Sequence, residues 1–420
     1  MQAEKQSDHR AVAAAEGADL EPSGRNEEQH HRLQRRFRKQ QTFTEGYSPL
    51  YSRMLGLLAD WLSAGQGDEL SRWLLAVAAR RASFDVPLLL LAGLHREVLA
   101  GNPQVQALAR FFPSVGGSHV ADSEDLGDSL RQAVLALRTE LAAFVAVATV
   151  QTNETGRGLC WLLPTLYPGW PAMHLVELGA SAGLNLAADL RHYRLLGGAD
   201  ENDRGRDVTT LLELGRGQPE QFVVVGEGEF QPPRSNSTPL ILSRQGCDLA
   251  PLALDSERDE QTLTAFVWAD QLQRLALLRQ GLAALRRVNQ PHTPVRVHQA
   301  NLPDDLAPLL SERVSPLDDA PIVLYNTYIT TYLHDKGASL RPQLAAWAER
   351  HPQPVLWLQW ETLWQGPQPP HFGWLGWTAD VWIKGRHRCW HLACVHPHGG
   401  RIQWLPGLAD WAGFWQGYRA

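Results

Sequence analysis

Residues 175–186, LVELGASAGLNL, decide the fold, and they admit two readings. An apolar run, LVEL, breaks into five small residues, GASAG, before apolar residues resume. A strand that turns into a helix through a small-residue bend explains this order, since Gly179, Ala180, Ala182 and Gly183 leave the main chain uncovered for a ligand. Read from Gly179, the bend is GxSxG, which lifts a nucleophilic Ser181 above a hydrolase sheet. Read from Glu177, it is a strand-end acid followed by a loop and a helix N-terminus that receive a nucleotide-like cofactor. The hydrolase reading also needs a later carboxylate and histidine, and His334, His371 and His396 keep it open. Only the cofactor reading gives Glu177 a task, contact with polar groups of the ligand.

Downstream of the bend, short β-rich runs alternate with helical ones, the texture of a mostly parallel α/β sheet. The expected strands are 174–178, 221–227, 239–243, 294–299, 321–326 and 354–361, with helices over 182–196 and 260–288. Residues 380–396, a PHGG turn and RIQWL (401–405) predict a C-terminal antiparallel hairpin. Upstream, 51–62, 71–81, 87–101 and 130–148 carry helix-width apolar stripes, so an N-terminal α-helical domain is expected over 31–168 and the α/β domain over 169–420. Residues 1–30, polar and Ala/Glu-rich, predict a disordered leader.

Composition narrows the function classes. With 44% hydrophobic and 20% charged residues in 420, the chain can bury two cores, and no run reaches the roughly 20 apolar residues of a membrane span. A net charge of −6 attracts no nucleic acid, and the basic run at 31–40 predicts a solvated helix face. Four cysteines without a CxxC pair predict reduced thiols, and with no signal-like N-terminus a cytoplasmic location is expected.

ELGASAG resembles the cofactor motif of class I S-adenosylmethionine-dependent methyltransferases, an acid followed by GxGxG, with Ser181 at the middle glycine. IVLYNTYITTYLHD (322–335) resembles that fold's fourth strand, VRVHQANL (295–302) its third and GCDLAPLAL (246–254) the turn after its second. The resemblance implies a Rossmann-like methyltransferase sheet. It implies that Gly179, Ser181 and Gly183, with Glu177, Ala180 and Asn185, hold the cofactor, that Asp248 meets the ribose and that Asn301 meets the adenine. Glu227, after QFVVVGE, competes with Asp248 for the ribose, because about 20 residues separate motif and acid in a simple βαβ unit. Tyr325, Asn326 and Glu361, at strand ends on one rim, would meet the acceptor. Taken together, RFRKQ (36–40), LLAGLHREVLAG (90–101), FFPSVGG, VQTNETGR (150–157), ELGASAGLNL and RQGCDLAPLAL are similar to a bacterial family designated domain of unknown function 2332. That likeness runs from residue 35 to the C-terminus.

Two further constellations bear on a site. Gln151, Asn153, Glu154 and Arg157 form a dense polar loop before the first strand, suited to substrate or cofactor contact or to capping a helix. His387, Cys389 and His391 share one face of a strand and Cys394 and His396 the other, which splits any zinc set, so no metal is expected. Trp360 and Trp364 flank the rim and could line an apolar pocket. The expected function is methyl transfer from S-adenosylmethionine to a small molecule. A serine hydrolase using Ser181 and a methyltransferase-shaped protein that binds without methylating are the alternatives.

Overall fold

The computed structural model describes residues 22–63, 68–79, 81, 85–151, 154–197, 209–217, 222–289, 294–362 and 366–418. Two compact units divide the chain: residues 1–150 with 261–272, and residues 151–260 with 273–420. The division falls at 150/151 where the sequence placed it at 168/169, because Leu159, Trp161, Leu162 and Leu166 pack into the core of the sheet.

The first unit is helical: α1 (Pro22–Thr44), α2 (Pro49–Ser63), α3 (Glu69–Ala78), α4 (Val86–Leu99), α5 (Asp125–Ala136) and α6 (Arg138–Val147). Residues 22–30, expected in the leader, instead extend α1, whose Leu33 and Phe37 are buried. Glu27, Glu28 and Gln29 favour that extension as strong helix formers. Residues 1–21 lie outside the described residues. The Asp68 carboxylate caps α3 by accepting the Ser71 N–H at 3.0 Å. The stripe at 130–148 is broken at Leu137 (φ −101°, ψ 17°), which separates α5 from α6. The expected helix at 260–288 is also two, α7 (Glu257–Ala265) and α8 (Leu272–Val288). In the intervening turn the Asp270 carboxylate accepts from Ser48 Oγ at 2.6 Å and from the Leu50 N–H at 3.2 Å. No described helix is long and apolar enough to cross a membrane.

In the second unit eleven strands form one mixed sheet, β1 (Ala172–Leu178), β2 (Tyr193–Gly197), β3 (Thr209–Leu214), β4 (Phe222–Glu227), β5 (Leu240–Asp248), β6 (Val295–Gln299), β7 (Ile322–Thr327), β8 (Val355–Glu361), β9 (Leu375–Ile383), β10 (Arg386–Val395) and β11 (Arg401–Trp404). Their order is β3-β2-β4-β11-β10-β9-β8-β7-β1-β5-β6, and six of the ten pairings are parallel. Where a strand–helix unit was expected at 182–196, a seven-residue 3₁₀ segment, Leu184–Leu190, leads straight into β2. Tyr193 and Leu195 are buried in alternation with Arg194 and Leu196, a period of two that the leucines around it disguise as helical. The C-terminal hairpin is a three-stranded meander, β9-β10-β11, whose last strand also pairs with β4 in parallel.

β7 and β8 are buried along their whole length and β1 along all but its first residue, as parallel strands covered on both faces must be. On one face Leu175, Val323, Tyr325, Leu358 and Trp377 pack under residues 159–170 and the helix Gly407–Gly417. On the other, Val176, Leu178, Leu324 and Trp357 pack under residues 306–314 and the helix Leu340–Ala348. β1 lies between β5 and β7, the next parallel strand on either side, so the chain's winding direction reverses at β1 and β7. Crevices at such reversals, outside the strands' C-terminal ends, are where open α/β sheets take ligands.

Candidate functional site

At the reversal, β1 ends in a bend with three left-handed residues, Gly179 (φ 81°), Ser181 (φ 51°) and Gly183 (φ 74°). Only Ser181 is not glycine there, and side chains adopt this conformation rarely. Its polar groups are held on every side. The Ser181 N–H donates to Asp248 Oδ2 at 2.8 Å, its Oγ to Gln151 Oε1 at 2.5 Å, and its carbonyl accepts the Leu252 N–H at 3.3 Å. The Gly179 and Ala180 N–H groups both donate to the Cys247 carbonyl, at 2.8 and 2.9 Å. The donors expected to be free are therefore engaged, and the 3₁₀ segment after the bend is too short and kinked, at Ala187, to act as a helix N-terminus.

The bend is also more crowded than its small residues suggested. A Cβ on Gly179 would overlap Ile329 Cγ2, and one on Gly183 would come within 2.7 Å of Val295 Cγ1. Ile329 belongs to the turn after β7, and Glu361 at the end of β8 holds that turn. Its Oε1 accepts Asn326 Nδ2 at 2.7 Å and the Ile329 N–H at 2.9 Å, and its Oε2 accepts the Thr330 N–H at 3.1 Å and Thr330 Oγ1 at 2.7 Å. Burial pushes the Glu361 carboxyl above its ordinary range against the pull of these donors. Asn326 uses its other amide atom to accept Trp357 Nε1 at 2.7 Å, so Asn326 and Glu361 form a satisfied brace.

Tyr325 does not share their surroundings. Successive strand residues face opposite ways, and Tyr325 sits opposite Glu177 on the sheet face covered by residues 159–170. Both side chains are buried, with the tyrosine hydroxyl beside the carboxyl. Neither Glu177 Oε2 nor the Tyr325 hydroxyl has a hydrogen-bond partner of normal geometry among the described residues. Burial raises the Glu177 carboxyl to about 8, so it carries a proton at neutral pH. Burial, with Glu361 and Glu177 nearby, pushes the Cys160 thiol well above its ordinary value, which disfavours the thiolate.

Asp248, ending β5 beside β1, accepts one N–H on each carboxylate oxygen, from Ser181 and from Ala250. Glu227 ends β4, six strands from β1 and antiparallel to it, and pairs with Arg401 at 3.1 Å, so Asp248 is the acid beside the bend. Asn301 is exposed, its N–H capped by Asp305 at 2.7 Å and its side-chain amide 3.4 Å from Asp304. Asn185 donates to the Glu154 carbonyl at 3.3 Å and accepts from Arg191 at 3.3 Å.

Residues 151 and 154–158 lie against these groups. Besides Gln151 on Ser181, the Thr155 carbonyl accepts from Arg191 at 2.5 Å and from the Tyr193 hydroxyl at 3.3 Å. Arg157, buried, donates from Nε to the Pro397 carbonyl at 2.9 Å and stacks over the Tyr328 ring. Glu154 is buried with His398 Nδ1 at 2.9 Å and Arg274 Nε at 3.3 Å. Burial would raise its carboxyl, but His398, Arg274 and Arg157 outweigh burial and hold it below the ordinary range. Asn153 and Trp364 lie outside the described residues, and Trp360 is core, edge-on to Trp377.

Reasoning from sequence missed Arg191, His398, Arg274 and the buried Asp189–Arg244 pair, whose two hydrogen bonds measure 2.7 and 2.9 Å. An acid in an apolar 3₁₀ stretch and an arginine inside a strand were the available signals. On the hairpin, His387 pairs with the buried Asp380 at 2.8 Å, and no group of three potential metal ligands occurs among the described residues. No curated protein and no solved structure matches the chain. Residues 34–404 match the family described as "uncharacterized protein conserved in bacteria (DUF2332)", and the chain belongs to that family.

Proposed function

We propose that this DUF2332 member transfers a methyl group from S-adenosylmethionine to a small molecule, with the cofactor at the end of β1. In chain order the parallel strands β6-β5-β1-β7-β8 read 3-2-1-4-5, the order of doubly wound nucleotide-binding sheets, which favours a Rossmann-like reading. The reading is carried by the placement of two acids where the winding reverses: Glu177 beside Tyr325, and Asp248 against the β1 bend.

The residues fit the cofactor at three places. Each Asp248 oxygen, with one N–H accepted, keeps a lone pair for a ribose hydroxyl. The Glu177 carboxyl, with the Tyr325 hydroxyl beside it, offers a polar contact, and the Asn301 amide is exposed. The bend itself is covered by Gln151 and Ile329, so loading requires the Gln151 side chain to leave Ser181 Oγ. Bound S-adenosylmethionine supplies an electrophilic sulfonium methyl, and the protein's share is alignment and exclusion of water. Asp248 orients, Glu361 and Asn326 brace the facing turn, and Gln151 with residues 154–158 screens the rim. Ser181 Oγ donates to an amide and no described histidine bonds to it, which disfavours the hydrolase reading.

Titration calorimetry with S-adenosylmethionine and S-adenosylhomocysteine tests the proposal. Saturable binding is expected, weakened about tenfold or more in Asp248→Ala and tightened in Gln151→Ala. No heat from either compound at millimolar concentration overturns it.

A further inference from the structure

The helical unit carries two exposed surfaces of opposite charge. On α1, Arg32, Arg35, Arg36, Lys39 and Phe43 recur at three- and four-residue intervals and so share one face, turned away from the buried Leu33 and Phe37. Arg32, Arg35 and Lys39 are exposed, Arg36 is half-buried, and none of the four forms an ion pair among the described residues. Glu28, one turn before Arg32, sets one negative charge against them. At the C-terminal end of this face Phe43 is 65% and Tyr47 57% exposed. Their rings are nearly parallel with centroids 6.3 Å apart, and Phe43 stands edge-on to Trp268 at 6.4 Å. The second surface is the stretch 115–128. Asp122, Glu124, Asp125 and Asp128 are exposed there, together with Val115 at 43% and Val120 at 69%. The start of α5 accounts for Asp125 and Asp128, since carboxylates favour the positive end of a helix, but not for Asp122 or the two valines.

We propose that the basic face of α1 and its aromatic pair dock on residues 115–128 of a second copy of this chain. The two surfaces complement each other in charge and in kind, cations against carboxylates and rings against valines. Three of the four cations are arginines, and arginine beside phenylalanine and tyrosine is the composition of protein interfaces, where lysine is depleted. A lipid surface or a phosphate backbone is served as well by lysine. The inference stands whether or not the protein methylates.

Sedimentation velocity of the full chain, from about 2 to about 200 µM, tests this. At about 0.15 M salt the Debye length is about 8 Å, so the net charge of −6 on each copy is largely screened and the groups in contact decide the outcome. Reversible self-association is expected. Arg32→Glu with Arg35→Glu should weaken it about tenfold or more, and so should Asp122→Lys with Glu124→Lys. The latter pair brings the chain nearer neutrality, which would strengthen an unspecific association, and Glu124 makes no capping bond that its loss would break. All four substitutions in one chain should restore association to within about threefold of wild type. Phe43→Ser, which leaves every charge in place, should weaken it about threefold or more. A wild type that stays monomeric throughout, a charge reversal that leaves association intact, or a fourfold variant that does not recover it overturns the proposal. Monomeric wild type that binds phosphatidylserine vesicles or a DNA duplex overturns it equally.

Discussion

Glu177→Gln should make the protein more stable in alkaline solution and leave it nearly unchanged in acid. The buried Glu177 carboxyl keeps its proton to about 8, whereas in the unfolded chain it releases it near 4.5. Between these values the folded state binds a proton that the unfolded state has lost, so stability is full below about 4.5 and falls as pH rises toward 8. At about 1.4 kcal/mol per pH decade the loss has a ceiling of roughly 5 kcal/mol. Burial sets this shift, and water entering around the ionised carboxylate reduces the loss to about 2–4 kcal/mol. Glutamine mimics the protonated acid in size and charge but never ionises. Urea midpoints of wild type and Glu177→Gln at about pH 5 and about pH 9, compared at constant m, isolate the effect because other titrations cancel in the difference. The variant should match wild type within about 1 kcal/mol at the lower pH and exceed it by about 2–4 kcal/mol at the higher. A difference that does not change with pH refutes the reasoning, since Glu177 would then titrate alike folded and unfolded.

Three other perturbations concern the same rim and the first unit. Glu361→Ala strands four donors, from Asn326, Ile329 and Thr330, and should cost about 3–5 kcal/mol in urea unfolding, against about 1–3 kcal/mol for Glu361→Gln. Gly179→Ala drives a Cβ into Ile329 at a φ of 81°, with an expected loss of about 2–4 kcal/mol, and Ile329→Ala should recover part of it in a double-mutant cycle. In the first unit, burial lowers the His95 imidazole to about 4, with Ser114 Oγ 2.8 Å from its Nε2. The unfolded chain therefore takes up a proton first, stability falls as pH drops from about 6.5 toward 4, and His95→Gln should flatten that decline, by up to roughly 3 kcal/mol, in pH-dependent melts.

The central strands were legible because nothing competes with their pattern. PIVLYN and PVLWLQWE are short, apolar and set off by proline, and β7 and β8 begin within a residue of the expected positions. β2 was hidden because its alternation spans five residues inside a leucine-rich stretch that also satisfies a helical period. The break between α7 and α8 was hidden for a different reason. Asp270 leaves the helical path for Ser48 and Leu50, more than 200 positions away in the chain, and no local pattern records such a partner. The same holds at the site, where the acids Glu177 and Asp248 could be picked out by position at strand ends but their surroundings could not.

That difference changes what the GASAG bend itself can be asked to prove. Gly179 has to be glycine because Ile329 occupies the place of a side chain, Gly183 because Val295 and Val297 press on it, and Gly246 opposite because Ala180 does. Packing alone accounts for these glycines, so they would be the same in a protein that never met a nucleotide. The ligand reading therefore gains nothing from the glycines. It rests on two acids: Glu177, whose buried carboxyl has the Tyr325 hydroxyl beside it, and Asp248, which still has acceptor capacity. Both acids stand where the winding of the parallel strands β6-β5-β1-β7-β8 reverses, and a bound partner would explain that placement.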